Sequence, residues 1–181
     1  MFSLKAFYFY FLAVKILLIR FVKKIYFSTD YYNKSLKTKL PEQLCFYPNP
    51  FLLSCFVNHK IFTFKLSKVN IDTFWSDLES IKEEENLNSF FWLNLINRKS
   101  NGEAIQQIIT IWIKNNIKYK KKNWNNLQIS KRILAWILNA DIILNNADSA
   151  FKESFFNSII IQVNHLKKSL NDENDPTKKL E

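Results

Sequence analysis

Apolar residues recur along this chain at three- and four-residue spacing, and that rhythm is the mark of helices with one buried face. The clearest instance follows Ser100, which stands three residues before Glu103 in capping-box spacing. Ile105, Ile108, Ile109, Trp112 and Ile113 then line one side. Residues 127–145 are apolar nearly all round and predict a central helix. Residues 150–170 carry Phe151, Phe155, Phe156, Ile159, Val163, Leu166 and Leu170 at helical spacing. Upstream, Asp72 can cap a helix bearing Phe74, Trp75, Leu78 and Ile81, and Glu83, Glu84 and Glu85 interrupt it. Residues 86–97 then predict a further helix, with Leu87, Phe90, Phe91, Leu93, Leu95 and Ile96. Trp75, Trp92 and Trp112 sit among Leu and Ile and read as core. Short links between these segments imply antiparallel helix pairs.

The first third differs. Residues 2–27 are apolar, aromatic and basic, with Lys5, Lys15, Arg20, Lys23 and Lys24 and no acid before Asp30. At about 100° per residue these five cations fall within half of the helix circumference. Lys15 interrupts the run and makes a poor spanning helix, which wants about 20 predominantly apolar residues. No small-residue site for signal cleavage follows it. Three readings stay open: a helix lying in a membrane interface with its cations toward anionic headgroups, an apolar helix packed on its own domain, or an uncleaved signal anchor. Residues 28–70 read as a linker with a short β-hairpin near 43–66, where Ile61, Thr63 and Lys65 alternate with Phe62, Phe64 and Leu66. Residues 171–181 form a polar tail.

Composition narrows the chemistry. The 181 residues contain one glycine, Gly102. Phosphate-cradling loops, dinucleotide fingerprints and nucleophile elbows need several at fixed places, so none is built here. The same scarcity disfavours tight β-turns, and an all-α fold is expected. Cys45 and Cys55 either bridge one short loop or stand as buried thiols. With no CxxC and with His59 and His165 far apart, no zinc site and no cofactor is expected. Net charge is +10, but residues 1–70 hold 11 basic and 2 acidic residues against 15 and 14 in the rest. The near-neutral remainder argues against a nucleic-acid footprint. Lys118, Lys120, Lys121 and Lys122 read as a solvated connection, with a polyanion site as the alternative.

Residues 87–95 (Leu-Asn-Ser-Phe-Phe-Trp-Leu-Asn-Leu), Ile111-Trp112-Ile113, Trp124 and Ser130-Lys131-Arg132 through Trp136-Ile137 occur in an order that resembles the amino-terminal part of the heparinase II/III family of polysaccharide lyases. Residues 158–166 continue the likeness, which covers about half of the chain. It implies a partial α/α toroid over residues 71–170: helical hairpins around a cleft that holds an acidic polysaccharide. The family reaction is β-elimination at a uronate, with a Tyr or His removing the C5 proton. The family's Asn-His motif, its catalytic Tyr, a later His and its β-sandwich lie beyond the last matching helix. The likeness therefore implies a toroid segment without catalytic residues: a shortened product, a reduced descendant, or one part of a split lyase whose remainder is a separately encoded partner. Asn164-His165 aligns with a non-catalytic stretch and reads as helix surface. Open apolar faces on such a segment would favour self-association.

Arg132 and Trp136 are four apart and share a helix face. An indole stacks on the apolar face of a sugar and an Arg fork pairs with its carboxylate. With Trp124 they form a candidate sugar contact; alternatively both indoles are core and Arg132 stacks on Trp136 or binds a helix end.

Overall fold

The stripe of Ile105, Ile108, Ile109, Trp112 and Ile113 is the buried face of one helix in the computed structural model, which describes residues 4–39, 87–95 and 102–171. The described residues are predominantly helical and contain no strand. Helix α1 runs Leu4–Ser28, α2 Asp30–Ser35, α3 Gly102–Asn116, α4 Asn126–Leu138, α5 Ala140–Ile143 and α6 Ser149–Asn171, and a 3₁₀ turn spans Phe91–Leu95. The hairpin expected near 43–66, both cysteines, the Asp72 helix with Trp75, the Ser100 cap and most of the polar tail lie outside the described residues.

The chain divides into two compact units, Met1–Ser35 and Leu36–Glu181. In the first, the expected linker is helical over Asp30–Ser35. Thr29 explains it: its hydroxyl accepts the Tyr32 N–H at 3.1 Å, satisfying a first-turn donor. Tyr32 is buried beneath the rings of Tyr26 and Phe27, at 5.0 and 4.7 Å between centroids. Most side chains of α1 are exposed.

In the second unit α6 lies against both α4 and α3, and the 87–95 segment lies against α4. Asn125 caps α4, its side chain accepting the Gln128 N–H at 2.9 Å. Asp148 does the same for Phe151 at the start of α6, at 2.6 Å. Two long helices predicted from periodicity are broken. Residues 127–145 divide at Asn139, whose amide donates to Asn94 Oδ1 at 2.7 Å and to the Ala135 carbonyl at 2.8 Å. The side-chain amide competes with helix continuation and ties the break to the 87–95 segment. Within the helix expected over residues 86–97, the described stretch 87–95 is likewise not one helix. Phe90 has φ of 56°, a left-handed conformation that costs a bulky residue about 1–2 kcal/mol. Its fully buried ring is held by Trp92, Trp112 and Trp136, with centroids 5.7, 5.7 and 5.2 Å away.

Large apolar side chains of the second unit are covered among the described residues, apart from Ile117 and Leu127. The open apolar faces expected of a ring fragment are therefore few here.

Gly102 opens α3 at a close backbone approach. A Cβ there would meet the Ile142 carbonyl at 2.9 Å. Four residues on, Gln106 Nε2 donates to the carbonyls of Ile143 and Asn145, at 3.0 and 2.9 Å, and holds the two segments together. Gly102→Ala is expected to lower stability by about 1–3 kcal/mol, because two backbones must separate. An unchanged thermal midpoint would show that the approach is looser than this.

Candidate functional site

Arg132 projects from α4 into the interior and is fully buried. All three nitrogens of its fork donate to neutral oxygens. Nε reaches Gln162 Oε1 at 2.6 Å, and the two terminal nitrogens reach the Asn88 and Asn123 carbonyls at 2.9 and 3.1 Å. The guanidinium lies 4.1 Å from the centroid of the Trp112 ring, a cation–π contact. Trp136 stands edge-on to Trp112 at 5.7 Å, and Trp112 Nε1 donates to Asn88 Oδ1 at 2.8 Å. One side chain thus joins α4, α6, the 87–95 segment and the loop before α4. Burial lowers the Arg132 pKa to about 9, so the group remains charged at neutral pH.

This geometry corrects the expected sugar contact. Arg132 and Trp136 are completely enclosed, and each nitrogen of the arginine fork donates to a protein oxygen. Neither offers a surface to a polysaccharide. The indoles are core and Arg132 stacks on one of them, though on Trp112 rather than Trp136.

Trp124 is 3% exposed, but it borders a pocket of about 390 Å³. Lys37, Asn116, Glu153, Asn157 and Ser158 supply most of the polar part of that lining. The volume lies within the range of small-molecule sites, and a few polar groups among apolar ones fit such a site. Asn116 is fixed: its amide donates to the Trp112 carbonyl at 3.0 Å, and its oxygen accepts from Asn123 at 2.8 Å. Lys37 and Glu153 are exposed and present opposite charges. Sequence reasoning named only Trp124 among these residues. The others come from positions 37, 116, 153, 157 and 158, and no local pattern joins them.

Behind Trp124 lies His165. It is 2% exposed, which corrects its reading as a helix-surface histidine. Its ring is 5.2 Å from Trp124 and 5.4 Å from Tyr119, and it hydrogen-bonds the Trp124 backbone. Burial lowers its pKa to about 4; the Trp124 hydrogen bond opposes that shift and Lys168 adds to it. Burial also raises the Tyr119 hydroxyl above its ordinary value. A Tyr and a His do meet here, but this His is sealed and neutral and the hydroxyl is a weaker acid than usual. Neighbouring Asn164 donates to the Leu36 carbonyl at 2.8 Å, tying residue 36 to α6. Lys118, Lys120, Lys121 and Lys122 lie exposed on the loop between α3 and α4.

On α1, Lys5, Lys15, Arg20 and Lys24 are exposed and Lys23 is half-buried. Among the described residues no group of His, Cys, Asp and Glu is placed to hold a metal, and no helix is long and apolar enough to cross a membrane. No protein-family model, curated protein or solved structure matches the chain.

Proposed function

We propose that residues 87–171 are a segment of a heparinase II/III-like α/α toroid and that the pocket beside Trp124 takes an acidic glycan. The supporting observation is the Trp112–Arg132–Trp136 lattice. It falls on the tryptophan and arginine series that carries the family likeness, and it joins the helices that series belongs to. On this reading the lattice is wall, not substrate contact. It fixes α3, α4 and α6 so that Asn116, Trp124, Asn157 and Ser158 present a rigid lining. Lys37 supplies a positive charge for a uronate carboxylate, Glu153 supplies an acceptor for sugar hydroxyls while opposing a carboxylate beside it, and the amides and hydroxyls match sugar hydroxyls.

Elimination at a uronate needs a base within hydrogen-bond reach of the C5 proton. His165 is sealed beneath Trp124, so this segment binds without eliminating. In a working lyase the remaining ring and its acid–base groups come from a partner polypeptide or a further stretch of chain.

Titration of the chain with a defined oligouronide, followed by amide chemical shifts, tests this. Shifts are expected at Asn116, Trp124, Glu153 and Asn157, with no absorbance from an unsaturated product. Lys37→Ala is expected to weaken binding by about fivefold, the worth of one exposed charge contact. Shifts confined to the Lys118–Lys122 loop would remove the pocket assignment. Appearance of the unsaturated product would remove the non-catalytic one.

A further inference from the structure

The half of α1 opposite its cations has no place in the glycan reading, and most of the exposed large apolar side chains among the described residues lie on this helix. Phe7, Phe11, Val14, Leu18, Phe21 and Ile25 fall on that half at about 100° per residue. Phe7 is 72% exposed, Phe11 65% and Phe21 61%. Monomeric soluble proteins rarely leave so many large apolar side chains contiguous and open. The helix is 25 residues long, about 38 Å at 1.5 Å per residue.

Its charge decides the occupant. Leu4–Ser28 carries five cations on the other half and no acid. Whatever covers the apolar half must tolerate, and is best served by supplying, negative charge along both flanks. A second copy supplies none on its own α1, and it brings a net charge of +10. An anionic lipid surface supplies negative charge on both flanks and hydrocarbon between them. The length exceeds what a flat anchor needs, yet Lys15 and Arg20 break every apolar window long enough to span. Tyr8, Tyr10 and Tyr26 add rings with one polar end, suited to headgroup depth.

We infer that α1 is an interfacial helix that lies in the plane of an anionic membrane, its uncharged half among the acyl chains and Lys5, Lys15, Arg20, Lys23 and Lys24 at the phosphates. This inference does not depend on the glycan reading, because no residue of the pocket takes part in it.

Flotation of the full chain with phosphatidylcholine vesicles, with and without phosphatidylglycerol, tests it. Binding is expected to be at least about tenfold tighter with the anionic lipid and to weaken with salt. Changing all five cations to Gln is expected to abolish that preference. Phe11→Gln with Leu18→Gln is expected to weaken binding at least about tenfold, whereas Phe9→Gln with Ile16→Gln, on the cationic half, changes it less than about threefold. All these positions except half-buried Lys23 are exposed, so circular dichroism should show the helices intact in every variant. Equal binding to neutral and anionic vesicles, no binding at all, equal loss from both Gln pairs, or a lipid-free oligomer abolished by Phe11→Gln with Leu18→Gln would each overturn the inference.

Discussion

Arg132→Ala is expected to destabilise the second unit by about 3–5 kcal/mol, a large share of the stability of a domain this size. The loss has three sources. The Gln162 side chain and the Asn88 and Asn123 carbonyls each lose a charge-assisted donor at 2.6–3.1 Å inside a sealed space. A buried acceptor left unsatisfied costs about 1–3 kcal/mol. The Trp112 ring loses the guanidinium stacked at 4.1 Å, and a cavity opens between α4 and α6. Arg132→Lys keeps the charge but cannot form the fork, so it should recover only part of the loss. Gln162→Leu in a double-mutant cycle with Arg132→Ala should show a coupling of about 1–3 kcal/mol by urea denaturation. Additive effects within error would mean that the arginine acts on its neighbours independently of Gln162. A glycan contact predicts a different pattern, in which Arg132→Ala changes oligouronide affinity while the urea midpoint stays put.

The residues that form this lattice are visible in the sequence as a series, and a buried role is one of the two that the series allows. Periodicity located α3 and α6 well, because each carries its large apolar residues at three- and four-residue spacing along most of its length. It failed where an asparagine or a backbone conformation competes with the helix. Asn139 looks like a polar residue within an apolar run, and its partner Asn94 is distant in sequence. Phe90 is an ordinary helix-core residue by pattern, and only the three tryptophans around it make its left-handed backbone tolerable. Arg132 stays open between two readings for a related reason. An arginine four residues from a tryptophan is equally suited to a sugar or to a buried lattice, and the choice depends on Asn88, Asn123 and Gln162, which no spacing rule connects. The pocket was illegible for the same reason. In α1 the separation of charge from bulk is plain in the sequence; the structure adds that the large apolar side chains of that half are exposed.

His165 is expected to make the second unit acid-sensitive in a window where few other groups contribute. Its pKa falls from 6.5 to about 4 because burial disfavours the imidazolium, an effect opposed by the hydrogen bond to the Trp124 backbone and reinforced by Lys168. The native state therefore binds fewer protons than the unfolded chain between these two values, and stability rises with pH across that interval. The stabilisation is complete above pH 6.5 and is lost as pH falls toward 4, by up to about 3 kcal/mol. Carboxylates titrate at the lower end of the window too, so the variant carries the test. His165→Phe keeps a ring against Tyr119 and Trp124 but removes the titration, at a cost of about 1 kcal/mol near neutral pH for the lost hydrogen bond. Urea denaturation at intervals from about pH 7 to about pH 4 should then give curves that converge as pH falls and cross before the lower limit. Parallel curves would mean that the imidazole is protonated in the folded chain, and that the packing around Trp124 opens to water.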